Sequence, residues 1–152
     1  MTRTHSQGFS LIELMAALAV GAILLVIAVP SYLQSIRESR RAEAKTALLD
    51  LAGREETLFS TTNAYSNVPA AVGYGNGAFP LAVGSDYYTV NVAVPNPAAP
   101  AATPSFLLTA TPVAGSSQAN DAPCQSFTVD QLGNQKAYNS GGVDNSTTCW
   151  GS

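Results

Sequence analysis

Histidine is nearly missing from this chain: His5 is the only one in 152 residues. That excludes a histidine-based catalytic triad and a multi-histidine metal site. Charge is scarce too, at 11% of residues against roughly 25% for an average soluble domain. Lys and Arg number 7 against 10 Asp and Glu, a formal net charge of −3. General nucleic-acid binding needs basic surface to neutralise phosphates, so this balance argues against it. Gly73-Tyr74-Gly75-Asn76-Gly77 has no G-K-[ST] after it, so it reads as a flexible connector and not as a phosphate loop. No internal repeat is visible, and no acid/base constellation stands out; Asp121, Asp130 and Asp144 could form one only by folding together. At 15.7 kDa the chain has room for one domain. Its hydrophobic fraction of 46% is ordinary, so it is not disordered overall.

The apolar residues are unevenly placed. Leu14 to Val29 is an unbroken uncharged run, and Phe9 to Ile12 extends it across Glu13 to 21 residues. About 20 residues cross a hydrocarbon layer of ~30 Å. Five of the seven cations then lie between Arg37 and Arg54, and Lys136 is the only cation beyond. A cleaved secretory signal has an apolar run of ~7–15 residues and a small-x-small site. This run is longer, and Pro30-Ser31-Tyr32-Leu33 offers no such site. A plain signal anchor is the simpler alternative, and Glu13 stands against it, because a carboxylate near the bilayer centre costs at least ~2.5 kcal/mol.

Glu13 has two readings. Ser10-Leu11-Ile12-Glu13 matches the S-x-x-E capping box ahead of an apolar run. The second reading comes from the junction Gly8-Phe9-Ser10-Leu11-Ile12-Glu13-Leu14. It resembles the type IV prepilins, whose signature is glycine followed by F-T-L-I-E-L after a short polar leader; Ser10 for threonine is the one change. The resemblance implies a leader over residues 1–8, cleavage between Gly8 and Phe9 by a prepilin peptidase, and N-methylation of Phe9. It also implies a role for Glu13 in assembly. An unpaired carboxylate among apolar helices in a filament core is strongly destabilising, and the Phe9 ammonium of a neighbouring subunit would neutralise it. Capping and assembly can both hold.

Helical patterning continues past the apolar segment 9–30. Residues 31–62 contain no proline and one glycine, Gly53. Leu33, Ile36, Ala44, Ala47, Leu48, Leu51 and Leu58 recur mostly at three- and four-residue spacing, an apolar stripe. Arg37, Glu38, Arg41, Lys45, Asp50 and Arg54 fall outside it and read as a solvated face, with Arg37, Arg40 and Arg41 also able to meet acidic surfaces between subunits. Asp50 and Arg54 stand at i, i+4 in the favourable order. One helix from Phe9 to Thr62 would be roughly 80 Å long, too long for a domain of this size, so its first half should protrude. Pro30 removes a backbone hydrogen bond and should kink it. In the family, the stretch before this proline can lose helical order on assembly. Here the usual glycine of that stretch stands one position early, at Gly21, with Ala22 in its place.

Composition changes at Asn63. Tyr87 to Val94 is a β-branched and aromatic run with Tyr88, Val90, Val92 and Val94 on one face, a strand. Pro95 to Pro104 holds four prolines and reads as an irregular loop. Ser105–Thr111 is a second strand and Gln125–Asp130 a third. Leu132-Gly133-Asn134 turns the chain into a short fourth strand over Gln135–Tyr138.

Cys124 and Cys149 are the only cysteines. A metal needs more ligands than two thiols, and an exported head favours a disulfide. Closing about 25 residues contributes roughly 3.5 kcal/mol in the chain-entropy model. The enclosed Gly-, Ser-, Asn- and Thr-rich segment has little apolar surface with which to fix itself. The run Cys124-Gln125-Ser126-Phe127-Thr128-Val129-Asp130-Gln131-Leu132-Gly133-Asn134-Gln135-Lys136, with Cys149-Trp150 at the end, is similar to the PilE-like minor pilins of Gram-negative bacteria.

These readings give an α+β chain of the type IV pilin kind: a leader (1–8), an apolar transmembrane or filament-core helix (9–30), an amphipathic helix half (31–62) and a β head (63–152) with a disulfide loop (124–149). Phe9, Glu13 and Pro30 are the expected assembly residues. The resemblance implies a non-enzymatic pilus subunit without cofactor or metal, held in the inner membrane and then built into an extracellular filament that serves twitching motility and adhesion. Its implied partners are the prepilin peptidase, other pilins and the inner-membrane assembly machinery, with nucleic acid not expected. The alternatives are a filament-tip binding module for DNA uptake or surface adhesion, and a type II secretion pseudopilin. Major and minor subunits are not distinguished by composition.

Overall fold

The computed structural model describes residues 10–95 and 103–151. Gly8 and Phe9 therefore lie outside the described residues, as does 96–102 of the proline-rich segment. Helix α1 runs from Leu11 to Thr62 with Pro30 inside it. The chain divides into two compact units, residues 1–36 and 37–152, so α1 contributes to both.

In the second unit, Ala44, Leu48, Leu51 and Glu55 are the buried residues of α1. Their spacing of four, three and four keeps them on one face of a 3.6-residue helix. Ala47 and Leu58 pack partly buried against the same core. Leu33, expected in this stripe, is exposed, and Glu55, not expected in it, is completely buried.

Five antiparallel strands complete this unit: β1 (Leu81–Val83), β2 (Tyr88–Ala93), β3 (Leu107–Pro112), β4 (Ser126–Asp130) and β5 (Gln135–Tyr138). They lie in the sheet in sequence order. The register aligns Val90, Ala110, Phe127 and Ala137 across four strands, all on the inner face. Phe127 thus sits between two alanines, which leave room for its ring, and tight packing needs such alternation of large and small. Each large inner side chain contributes roughly 1.5–3 kcal/mol by leaving water. On the opposite face Asn91, Thr109, Thr128 and Lys136 are aligned in one row.

β2 is one residue shorter at each end than expected and β4 starts one residue later; three differences are larger. β1 is only three residues long between Pro80 and Gly84, too short to show a period. β3 starts two residues later than expected and includes Pro112 at its end. The last turn is helical, α2 (Ser146–Cys149). The β1–β2 turn is tied to α1, because the Glu43 carboxylate accepts the Ser85 N–H at 2.8 Å and its hydroxyl at 3.2 Å. Gly84 has φ +61° there, a conformation that side chains rarely adopt, and a Cβ would displace the Glu43 carboxylate, so glycine suits this turn.

Candidate functional site

The first candidate surface is the N-terminal part of α1. Every large apolar side chain from Leu11 to Val29 is exposed, Leu11 by 77% and Val29 still by 49%. This helix is long and apolar enough to cross a membrane, with a mean hydropathy of 2.7 over its best window. Helices apolar all round need lipid or other helices around them. The Ser10 carbonyl accepts the N–H groups of Glu13 (3.1 Å) and Leu14 (3.2 Å), which starts the helix. Glu13 lies in the first turn and is exposed, where a negative charge is favourable to the helix dipole. Pro30 is exposed as well.

The second surface is the helix–head contact, and here the expected solvated face is corrected. Arg41 is not in solvent: its Nε and Nη2 donate to the two oxygens of Asp121 at 2.7 and 2.6 Å, with side-chain exposures of 12% and 1%. This hydrogen bond raises the Arg41 pKa against the opposing effect of burial. Asp121 also accepts from Gln118 Nε2 at 2.9 Å, and Gln118 Nε2 in turn reaches the Tyr88 hydroxyl at 3.0 Å. Burial pushes the Tyr88 hydroxyl up to about 12. Arg40 stacks on Tyr87, 3.4 Å from the ring centroid, and donates to Ser117 at 2.7 Å. Lys45 donates to the Cys149 carbonyl at 3.1 Å and lies over the Trp150 ring; burial lowers its pKa. The residues read as polar exterior turn out to bind the head because a helix packed under a sheet flanks its apolar stripe with long side chains whose stems stay buried. Asp50 and Arg54 do form the expected pair, at 2.8 Å, and Arg54 also donates to the Gly73 carbonyl.

The third surface is the C-terminal region. Cys124 and Cys149 are bonded, with both residues completely buried. The segment they enclose fixes itself more than its composition suggested. Asn139 Oδ1 accepts the N–H groups of Gly141 and Val143, and Asp144 Oδ1 accepts the Ser146 N–H, each a side-chain turn. Asn145 Nδ2 donates to the Pro123 carbonyl and Trp150 Nε1 to that of Lys136. Polar residues replace apolar surface with hydrogen bonds, a route that hydropathy does not register.

Asp121, Asp130 and Asp144 are not brought together as an acid/base group. Asp121 is bonded to Arg41 and Gln118. Asp130 holds the β4–β5 turn through Leu132 and Asn134, and Asp144 holds Ser146. Burial acts to raise the Asp130 pKa, but the Asn134 and Leu132 hydrogen bonds outweigh it and lower it; the Ser146 bonds lower that of Asp144. Among the described residues no cluster of three or more His, Cys, Asp or Glu could hold a metal. Sequence reasoning missed Glu55, Tyr88 with Gln118, and the Arg41–Asp121 pair. Only Glu55 left a signal, since it sits at helical spacing from Leu48 and Leu51.

Comparison with known proteins adds two family matches and one relative. Residues 3–29 match the prokaryotic N-terminal methylation motif. Residues 30–128 match the family described as type IV minor pilin ComP, DNA uptake sequence receptor. The type IV major pilin protein PilA of Myxococcus xanthus (strain DK1622) is 36% identical over 70 residues, 46% of this chain. The match spans only 32% of that protein's length. The ComP-type match extends over more than half of the chain: this chain belongs to the ComP-type minor pilin family of type IV pili.

Proposed function

We propose that the chain is a minor structural subunit of a type IV pilus and not an enzyme. It enters the inner membrane through the apolar helix, is cut between Gly8 and Phe9 by a prepilin peptidase and methylated on Phe9. It then joins other pilins in an extracellular filament with the help of the inner-membrane assembly machinery. The observation that carries this reading is the continuous exposure of large apolar side chains from Leu11 to Val29, within the residues that match the N-terminal methylation motif. Glu13 supplies the one charge in that stretch, and pairing with a neighbour's Phe9 ammonium is its role in assembly. Mass spectrometry of sheared filaments is the test: a peptide beginning at N-methyl-Phe9 is expected. A terminus at Met1 or Thr2, or a cut near Pro30, would overturn the processing.

A second reading, reception of DNA during uptake, is supported by the description of the matched family. The charge distribution opposes it. Arg40, Arg41, Lys45 and Arg54 are engaged within the fold, which leaves Arg37 and Lys136 as the cations without such bonds among the described residues. Fluorescence anisotropy of the full chain in detergent with duplex DNA, over a salt series, separates the two. Binding that depends on DNA sequence and weakens with salt supports reception; its absence leaves the filament role alone.

A further inference from the structure

Glu55 is an ionisable residue on the core-facing stripe of α1, and it is completely buried. One carboxyl oxygen, Oε2, accepts the Ser66 N–H at 3.0 Å. The other, Oε1, is buried with no hydrogen-bond partner. Next to it Glu56 accepts the Tyr65 hydroxyl at 3.0 Å. The Tyr65 ring stacks on Phe59 at 4.6 Å and meets the edge of Phe106 at 4.8 Å. Two successive glutamates thus hold two successive residues of the segment that leaves the helix for the sheet.

Among the described residues the surroundings offer Glu55 no cation. Its neighbour Arg54 turns to Asp50 and the Gly73 carbonyl and lies near the Tyr74 ring. From Asn63 to Val72 the only titratable residue is Tyr65. Strands β2 and β3 carry no charged residue, and their one titratable group, Tyr88, is bonded to Gln118. The remaining charge that bears on Glu55 is Glu56, of like sign. A carboxylate in such a place is expensive, because burial without a counter-ion leaves its charge uncompensated. A neutral carboxyl keeps the Ser66 hydrogen bond at far smaller cost.

We infer that Glu55 is a pH-sensitive latch on the helix-to-sheet connection, closed while its carboxyl is protonated and loosened when it ionises and Oε1 must find water. Burial raises its pKa above the ordinary glutamate value, with the Ser66 bond opposing and Glu56 reinforcing that rise. The sign follows. The unfolded carboxyl ionises near 4.5 and the folded one only at higher pH. The stabilisation is therefore complete below the unfolded value and is lost as pH rises through the folded value. Asp130 and Asp144, whose pKa values are lowered, act in the opposite sense and in a separate window below 3.8.

Hydrogen exchange of the full chain in detergent tests the latch, with intrinsic exchange rates corrected for pH. Protection at Ser66 and its neighbours from 63 to 72 should fall by about tenfold for each unit by which the latch pKa is raised, while the amides of β3 and β4 keep theirs. Glu55→Gln keeps an acceptor for Ser66 and cannot ionise, so its protection should be independent of pH. Equal pH profiles in the two proteins would overturn the inference. A direct carboxyl carbon-13 titration of the unmutated protein covers the case of a variant that fails to fold. A Glu55 midpoint above that of Glu56 supports the latch, and one at or below it overturns it.

Discussion

Helix α1 contains two stretches that solve the same problem in opposite ways. From Leu11 to Val29 apolar side chains point in every direction and all the large ones are exposed. From Arg37 to Thr62 apolar side chains are concentrated on one stripe, where Ala44, Leu48 and Leu51 have no exposure at all. The second stretch carries its own cover in the form of the sheet, and its flanks are polar because they meet carbonyls, carboxylates and rings of the head. The first has no cover within the residues described, so lipid or other subunits must supply it. The difference teaches that hydrophobicity alone does not locate a core. The angular distribution of apolar residues around the helix does.

The sharpest way to break this comparison is at Glu13. Glu13→Gln should enter the membrane at least as well as the unmutated chain, since it removes a charge from an apolar run. Its incorporation into sheared filaments should fall on the order of a hundredfold, because under the proposed pairing a neighbour's Phe9 ammonium then enters an apolar environment uncompensated. Undiminished incorporation would assign Glu13 to capping.

Within the head, Arg41→Ala should cost about 3–5 kcal/mol by leaving Asp121 buried and unpaired, measured by denaturant unfolding of the full chain in detergent. A cost under ~1 kcal/mol would return Arg41 to the solvated face. Next comes a paired test of the two stretches. Leu48→Ala should cost about 2–5 kcal/mol by leaving a cavity under the sheet, whereas Leu18→Ala should leave unfolding of the head unchanged. Comparable losses would mean that the stretches are not distinct.

Reduction of Cys124–Cys149 should cost roughly 2–4 kcal/mol for a separation of 25 residues. The lower end is expected if the side-chain turns of Asn139 and Asp144 carry part of the order. The last effect, confined to high pH, belongs to Tyr88. With its hydroxyl pushed up to about 12, the unfolded state loses its proton first, so head stability should decline as pH rises from about 10 to 12. A Tyr88→Phe protein should lack that component of the decline.

Some of this was legible one residue at a time. The methylation motif ahead of the apolar run, the stripe at Ala44, Leu48 and Leu51, and the strand expected over Tyr87 to Val94, one residue longer at each end than β2, are all local patterns. Turn chemistry marked the β4–β5 hairpin at Leu132-Gly133-Asn134 in the same way. β1 escaped because three residues have no period. The self-bonded loop after Asn139 escaped because hydrogen bonds between side chain and backbone leave no hydropathy trace.

The sequence by itself determined that one long helix begins in an apolar stretch able to span a membrane, that a sheet follows, and that two cysteines in the sheet region had only each other. Helix length, alternation and composition are properties of neighbours in the chain, and no other part of the molecule is needed to specify them. Only the tertiary structure decided which polar residues of α1 face the head. Arg41 meets Asp121 across 80 positions and Lys45 meets Cys149 across 104. Glu55 is buried because the connection from Asn63 folds back over it, although it lies in the same helix as exposed Glu56. Adjacent helical residues point about 100° apart, so the Leu48 and Leu51 stripe marks the side on which Glu55 lies. Which segment closes over it is set by contacts distant in the chain, and no local pattern carries those.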